Sequence, residues 1–212
     1  MDSKFIAFEG GEGTGKSTQS RLLEAALRER GIETITTREP GGTRGAEAIR
    51  DLLLHPPGKG WNARAEALLF AAARSDHVET LIRPTLARGT WVISDRFVDS
   101  SRAYQGGAGG LGDEAITTLH AFGSEGMRPD MTILLEVDED RLAARLAQRD
   151  GGASDAIGGR GIDYHRIVAA SFRALADADP KGFRVIDGTG SPDDVHTRVL
   201  GALAPFLESS NK

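Results

Sequence analysis

The chain has 212 residues, a formal net charge of −5 and no cysteine. The negative charge argues against a surface that binds polyanions such as nucleic acids, and the lack of cysteine excludes disulfides, thiolate chemistry and zinc sites built on sulfur. We expect one α/β domain spanning residues 1–212. No apolar stretch approaches the ~20 residues needed to span a bilayer, and we expect the protein in the reducing cytoplasm.

Strand and helix patterns alternate along the chain, which predicts an α/β fold with a parallel sheet. Short apolar runs predict strands at residues 5–9, 34–38, 91–95, 131–137 and 184–187. Apolar residues at helical spacing predict helices at 16–30, 44–54, 63–88, 113–122, 139–149, 164–178 and 192–207. We expect Pro84 to kink or end the third helix. Two glycine-rich stretches, 106–112 and 151–161, are predicted to be loose connectors or mobile lids.

The first predicted strand runs directly into a glycine-rich loop before the first helix. The loop residues are Gly10, Gly11, Glu12, Gly13, Thr14, Gly15, Lys16 and Ser17, a complete match to the phosphate-binding-loop motif. Glycines let backbone N–H groups face the α and β phosphates, the lysine reaches the β and γ oxygens, and the serine hydroxyl binds Mg²⁺. We include the following Thr18 in this predicted nucleoside triphosphate site. The alternative is that this segment is an ordinary glycine-rich turn that fits the motif by chance, but the flanking strand and helix argue against it.

Charged residues stand at the ends of two other predicted strands. Arg38 ends the second strand, and Asp95 ends the third and precedes Arg96. Ligands of parallel sheets bind at the carboxyl ends of the strands, and a guanidinium matches phosphate oxygens. We therefore expect the two arginines to clamp a second phosphate, although each alone would fit a surface ion pair. Asp95 is placed to hold Mg²⁺ directly or through water, and the alternative is a cap of a helix or turn.

The third predicted helix carries an aromatic ring and a guanidinium on one face. Phe70 and Arg74 are four residues apart, so their side chains can project into one pocket. From the pattern alone, Phe70 is more often a core residue. Any ligand role for this pair therefore needs support from other segments of the chain.

Four segments together resemble the thymidylate kinase family, whose members phosphorylate dTMP with ATP. They are the phosphate loop, Arg38-Glu39-Pro40-Gly41-Gly42-Thr43, Leu69-Phe70-Ala71-Ala72-Ala73-Arg74, and the block from Asp95-Arg96-Phe97 to Ala103-Tyr104-Gln105. They occur in the family's order and spacing, and the resemblance covers essentially the whole chain. It implies the P-loop NTPase fold, with a five-stranded parallel sheet, helices on both faces and a short mobile lid at about 149–163.

The resemblance also implies roles around the base and sugar of dTMP. Phe70 stacks on thymine, Arg74 reads the base O4, and Ser101 lies near N3, where some relatives have asparagine. Tyr104 packs against the sugar and leaves no space for a ribose 2′-hydroxyl. Glu12 faces the 3′-hydroxyl. Together these contacts would select a deoxypyrimidine nucleotide.

For the transferred phosphate, the resemblance implies charge neutralisation and in-line positioning rather than covalent chemistry. Arg38 and Arg96 hold the dTMP phosphate, Lys16 contacts the donor, and Mg²⁺ is held by Ser17 and Asp95. The predicted dTMP site also includes Ser100 and Gln105.

One more cation is expected, and relatives supply it either from the phosphate loop or from the lid. Because Gly13 occupies the loop position here, the resemblance implies that the lid supplies it, with Arg149 and Arg160 as candidates. Many relatives have Asp-Arg where this chain has Asp155-Ala156-Ile157. Three alternatives therefore stay open: Arg160 substitutes from a nearby position, Arg149 acts alone, or the lid is simply rich in surface arginines. Arg145 is predicted to stack on adenine, although an exposed helix arginine would show the same pattern.

Two other functions stay open. A kinase of the same fold for another nucleoside monophosphate or a deoxynucleoside is disfavoured by Phe70, Arg74 and Tyr104. A nucleotide-dependent switch or assembly ATPase would need a residue that orients water, and the sequence offers no obvious candidate. The resemblance further implies a homodimer, with the helix at 63–88 as a possible contact, and no nucleic-acid or membrane partner is expected.

Overall fold

The computed structural model describes residues 2–138 and 158–209. Within them, five parallel strands form one sheet in the order β2-β3-β1-β4-β5. The strands are β1 (Phe5–Glu9), β2 (Thr34–Arg38), β3 (Trp91–Asp95), β4 (Met131–Glu136) and β5 (Phe183–Asp187). Three match the predicted bounds, while β4 ends and β5 begins one residue earlier. Because β1 is central, the loop that follows it lies in the middle of the sheet's carboxyl edge.

Eight α-helices occur in the described residues. They are α1 (Lys16–Glu29), α2 (Arg44–Leu54), α3 (Ala63–His77), α4 (Arg83–Ala87), α5 (Val98–Ser101), α6 (Asp113–Ser124), α7 (Ile162–Ala178) and α8 (Pro192–Ser209). The sequence predicted all of them except the short α5, while the predicted helix at 139–149 lies outside the described residues. None of the eight is long and apolar enough to cross a membrane.

Alternate residues of each strand point to opposite faces of the sheet, and helices cover both faces. On one face, Ile6 of β1 packs in a cluster with Leu23 of α1 and Val199 of α8. On the other face, Phe5 of β1 packs in a cluster with Ile82, which follows α3. The predicted α/β fold with helices on both faces of a parallel sheet is therefore confirmed.

The long helix predicted at 63–88 runs through Pro84 instead of ending there. A π-helical segment, Val78–Ile82, joins α3 to α4, and the N–H of Arg83 bonds to the carbonyl of Val78. Proline cannot donate to the preceding turn, and a widened turn next to it lets the helix continue.

The prediction of a loose connector or lid at 106–112 is wrong for residues 106–108, which are helical, while 109–112 connect that segment to α6. A second π-helical segment, Arg102–Ala108, follows α5 directly and buries Gly106. The N–H of Gly112 bonds to the carbonyl of Gly106 at 2.9 Å, which closes the turn before α6. A π-helix lacks the 3.6-residue period, so apolar spacing does not reveal it.

Candidate active site

The phosphate loop joins β1 to α1 at the carboxyl edge of the sheet. Gly10, Gly13 and Gly15 have φ angles of 137°, 72° and 100°, which residues with side chains rarely adopt. A Cβ atom at Gly10 would lie 2.5 Å from the carbonyl oxygen of Leu135 on β4. Among the described side chains, none caps the start of α1. The loop therefore presents backbone N–H groups at a helix N-terminus, the usual protein site for phosphates.

Lys16 folds back onto this loop. Its Nζ lies 3.1 Å from the carbonyl oxygen of Gly10 and 2.6 Å from that of Gly11. Burial lowers the pKa of Lys16 to about 8, and the positive charge of Arg96 adds to the decrease. A phosphate anion would favour the charged form of this lysine, because an opposite charge nearby offsets burial.

Ser17 and Asp95 meet where the loop faces β3. The Ser17 hydroxyl donates to Oδ2 of Asp95 at 2.5 Å. In the described residues, no three His, Cys, Asp or Glu side chains are grouped to hold a metal ion. One hydroxyl and one carboxylate suit Mg²⁺, which takes few protein ligands and completes its shell with phosphates and water.

Arg96 contacts several groups of the site. Its backbone is left-handed, with φ at 75°, and its guanidinium pairs with the carboxylate of Glu12. Nη1 also donates to the carbonyl of Gly10 at 3.1 Å and to the hydroxyl of Ser100 at 3.0 Å. Arg96 therefore lies against the phosphate loop and is held there by four groups, including the Tyr104 hydroxyl at 3.4 Å from Nη2.

A cavity of about 500 Å³ opens between the phosphate loop and the ends of β2 and β3. It brings together most of the predicted site: Glu12, Gly13, Gly15, Lys16, Ser17, Thr18, Arg38, Phe70, Asp95, Arg96, Ser100, Ser101, Tyr104 and Gln105. The remaining loop residues Gly10, Gly11 and Thr14 line a second space of about 760 Å³ beside the ends of β4 and β5. The predicted Arg145 and Arg149 lie outside the described residues.

Arg38 reaches the same cavity from the end of β2 but is already paired. Its Nη2 lies 3.0 Å and 3.1 Å from the two carboxylate oxygens of Glu47 on α2. Glu47 also accepts the N–H of Gly42 at 2.9 Å. Both predicted phosphate arginines thus have acidic partners, Glu47 for Arg38 and Glu12 for Arg96, that a phosphate would have to displace or neutralise.

The two residues predicted on one face of α3 differ in exposure. Phe70 lines the cavity, whereas the side chain of Arg74 is only 3% exposed and lies behind Ser101. Nη2 of Arg74 donates to the Ser101 hydroxyl at 2.9 Å. Nε of Arg74 donates to Glu39 at 2.7 Å. The predicted base-reading arginine is therefore held in a buried ion pair that the sequence analysis did not include.

Arg160 pairs with side chains of α3 and α7. Its Nη2 lies 2.5 Å from Oε2 of Glu66 on α3, and its Nη1 lies 2.5 Å from the hydroxyl of Tyr164. The other Glu66 oxygen accepts the side-chain amide of Gln105 at 2.9 Å. These contacts attach Arg160 to α3 and α7.

Glu9 is a site residue that sequence analysis missed. It is fully buried at the end of β1 and accepts the N–H groups of Phe97 at 2.8 Å and Ser100 at 3.0 Å. Its other oxygen accepts the Ser100 hydroxyl at 2.6 Å. These three bonds hold the turn that carries Arg96. The sequence did contain one signal for Glu9, because an acidic residue is unusual in an apolar strand that is buried on both faces of the sheet.

The arrangement suits transfer between two phosphates. A helix N-terminus with Lys16 can hold one polyphosphate, and Arg96 and Arg38 can hold a second phosphate across the same cavity. The Ser17 and Asp95 oxygens can hold Mg²⁺ between them. Phosphoryl transfer needs these features more than it needs a nucleophilic side chain.

Comparison with known proteins agrees with this chemistry. The family model described as thymidylate kinase matches residues 8–199. The chain is 55% identical to a thymidylate kinase of Rhizorhabdus wittichii, over 98% of this chain and 100% of that protein, and 47% identical to one of Rhodopseudomonas palustris, over 96% and 89%. A crystal structure of thymidylate kinase from Ehrlichia chaffeensis matches with a TM-score of 0.76 and 32% identity, covering 96% of this chain and 100% of that one. The chain therefore belongs to the thymidylate kinase family.

Proposed function

We infer that this chain phosphorylates dTMP to dTDP with ATP as the donor, in the pathway that supplies dTTP for DNA synthesis. It is a nucleoside monophosphate kinase, as its family membership indicates. The observation in this structure that carries the inference is the single cavity where the phosphate loop, Arg38, Arg96 and Phe70 meet.

On the donor side, the loop N–H groups bind the α and β phosphates, and Lys16 moves from the loop carbonyls to the β and γ oxygens. Thr18 lies in the first turn of α1, where the helix dipole favours anions. Arg145 is proposed to stack on adenine.

Ser17 and Asp95 are proposed to hold Mg²⁺ with the phosphates of ATP. The oxygen-only pair, already in contact at 2.5 Å, supports this assignment. When bound, Mg²⁺ neutralises charge on the β and γ phosphate oxygens.

On the acceptor side, Arg96 and Arg38 orient the dTMP phosphate in line with the γ-phosphoryl group. The carbonyl of Gly10 and the hydroxyl of Ser100 already fix Nη1 of Arg96, which leaves the pairing of Nη2 with Glu12 to be exchanged when the acceptor arrives. Glu12, which pairs with Arg96 before substrate binds, is proposed to turn to the sugar 3′-hydroxyl.

The base and sugar are proposed to occupy the wall opposite the loop. Phe70 stacks on thymine, Arg74 donates to O4, and Ser101 lies near N3. Tyr104 excludes the ribose 2′-hydroxyl. Support comes from the shared cavity of Phe70, Ser101 and Tyr104 and from the contact that joins Arg74 to Ser101.

Arg149 and Arg160 are the proposed lid cations of a lid at about 149–163. Arg160 would have to leave Glu66 and Tyr164 to reach the donor phosphates. This pairing favours Arg149 as the arginine that neutralises the transferred group.

The chain is also proposed to act as one domain and as a cytoplasmic homodimer. Leu68 on α3 is 56% exposed and Phe122 on α6 is 92% exposed, and these two helices pack side by side. Apolar side chains exposed on adjacent helices are typical of an interface. Production of a dTTP precursor suits the compartment in which DNA is made.

ADP formation with ATP and Mg²⁺ tests the proposed function. We expect almost no ADP without an acceptor, and faster formation with dTMP than with dCMP or thymidine. A switch or assembly ATPase would form ADP at the same rate without dTMP. A deoxynucleoside kinase would prefer thymidine to dTMP. That result would show that the phosphate-binding arginines have no role in acceptor binding.

A further inference from the structure

A buried polar cluster adjoins the cavity that is proposed to hold the base, and one member, Glu39, lines that cavity. Glu39, Arg74 and His77 are 5%, 3% and 0% exposed. Oε2 of Glu39 accepts from Nε of Arg74 at 2.7 Å, and Oε1 lies 3.0 Å from Nδ1 of His77. Nε2 of His77 lies 2.8 Å from the hydroxyl of Thr37 on β2. Each carboxylate oxygen of Glu39 therefore has its own nitrogen partner.

The chemistry of these groups determines where the protons lie. A carboxylate only accepts, so Nδ1 of His77 carries the proton in its contact with Glu39. On the other side of the ring, Nε2 contacts the Thr37 hydroxyl, which can either donate or accept. Burial alone would raise the pKa of Glu39, but Arg74 and His77 outweigh it and hold that pKa below its ordinary value. Glu39 is thus an ionised carboxylate with satisfied partners on both sides.

The guanidinium of Arg74 is fixed on two of its three nitrogens. Nε donates to Glu39, and Nη2 donates to the Ser101 hydroxyl at 2.9 Å and the Phe97 carbonyl at 3.3 Å. Within residues 2–138 and 158–209, no hydrogen bond from Nη1 occurs. Because the guanidinium is planar, fixing Nε and Nη2 also fixes the direction of the Nη1 hydrogens.

We infer that Glu39 is a positioning residue for base selection. Glu39, which His77 holds in place, fixes the plane of the Arg74 guanidinium, and this makes Nη1 of Arg74 the donor that faces the base. The inference rests on the proposed function, in which Arg74 donates to thymine O4. Cytosine has an amino group in place of O4, so a fixed donor at this point rejects cytosine, whereas uracil keeps O4 and differs from thymine only by a methyl group. Glu39 and His77 therefore control the choice between thymine and cytosine and leave the choice between thymine and uracil unchanged.

The test compares kcat/KM for dTMP, dCMP and dUMP in wild type, Glu39→Met and Glu39→Gln. Methionine has a similar length but accepts no strong hydrogen bond, so we expect the dTMP to dCMP ratio to fall about tenfold. The dTMP to dUMP ratio and the KM for ATP should stay within about twofold of wild type. Glutamine can accept from Arg74 and donate to His77 after the ring shifts its proton to Nε2, so Glu39→Gln should restore most of the ratio.

Asp99 offers a matched control, since it is also fully buried and pairs with Arg102 and Arg128. Asp99→Asn should lower the melting temperature without lowering the dTMP to dCMP ratio. An equal fall of that ratio in Asp99→Asn would overturn the inference, because general loosening would then explain the result. So would a folded Glu39→Met protein with the wild-type ratio.

If Glu39→Met does not fold, His77 provides the second test. His77→Asn keeps a donor near the Nδ1 position, and His77→Phe removes it. We expect the dTMP to dCMP ratio to fall in His77→Phe and to be retained in His77→Asn, and equal ratios in the two variants would refute the inference. Wild-type protein that fails to phosphorylate dTMP would instead refute the proposed function.

Discussion

The hydroxyl oxygen of Tyr104 lies 3.4 Å from Nη2 of Arg96, and the ring centre of Tyr104 lies 5.1 Å from the guanidinium carbon of Arg96. The side chain proposed to face the sugar therefore contacts the one proposed to hold the acceptor phosphate. A substitution of Tyr104 affects both regions, so its test must separate the ring from the hydroxyl.

Replacing Tyr104 with valine should admit ribonucleotides. The smaller side chain leaves space for a 2′-hydroxyl, so the kcat/KM ratio of dTMP to ribothymidine monophosphate should fall about tenfold or more. Tyr104→Phe is the matched control, because it keeps the ring and loses only the contact with Arg96. It should retain the ratio while its KM for dTMP rises a few-fold, on the order of one lost hydrogen bond. An unchanged ratio in Tyr104→Val would show that the ring does not exclude the 2′-hydroxyl.

Lys16→Ala should lower kcat by about 10²–10³-fold or more, because it removes a preorganised positive charge from the transferred phosphoryl group. Lys59, which is exposed in the turn before α3, is the control, and Lys59→Ala should keep wild-type turnover. Steady-state rates with saturating dTMP measure the effect. Wild-type turnover in Lys16→Ala would contradict the proposal that this loop binds the phosphate donor.

Much of the fold could be predicted because its signals are local. Each strand is a short apolar run between breakers, so the bounds of β1, β2 and β3 match the predicted ones. The phosphate loop is likewise a continuous motif whose residue types follow from phosphate chemistry. Its placement at the carboxyl edge of a parallel sheet follows from the strand order.

The partners of the site residues could not be predicted because they are distant in sequence. Glu66 meets Arg160 across 94 positions, and Glu9 meets Phe97 across 88. No periodic pattern connects such pairs, and a lone glutamate on a helix usually faces solvent. The acidic residues beside Arg38, Arg74 and Arg160 therefore became visible only in the folded chain.

The contact of Arg160 with Glu66 should be measurable in a double-mutant cycle. The two side chains are 28% and 10% exposed, so we expect a coupling energy of about 0.5–2 kcal/mol in urea unfolding of Arg160→Ala, Glu66→Ala and the double variant. Because Arg160 is engaged by Glu66, Arg160→Ala should lower kcat less than Arg149→Ala does. Equal, small losses in both would show that neither arginine acts on the transferred phosphate.

Glu9 should make stability depend on pH. Burial raises the pKa of Glu9 from 4.5 to about 7, and the charge of Asp99 adds to the rise. The folded protein therefore holds this proton up to about pH 7, whereas the unfolded chain releases it near pH 4.5. The resulting stabilisation is fully present below pH 4.5 and is lost as the pH rises through 7.

Glu9→Gln isolates this effect because an amide does not ionise. Its oxygen can still accept from the N–H groups of Phe97 and Ser100, and its amino group can donate to the Ser100 hydroxyl. A rise from 4.5 to about 7 corresponds to about 3 kcal/mol. The free energy of unfolding of Glu9→Gln, relative to wild type, should therefore increase by about 3 kcal/mol between pH 4 and pH 8 in urea titrations. A difference that stays constant over this range would show that folding does not raise the pKa of Glu9, because its hydrogen bonds and Arg96 then offset its burial.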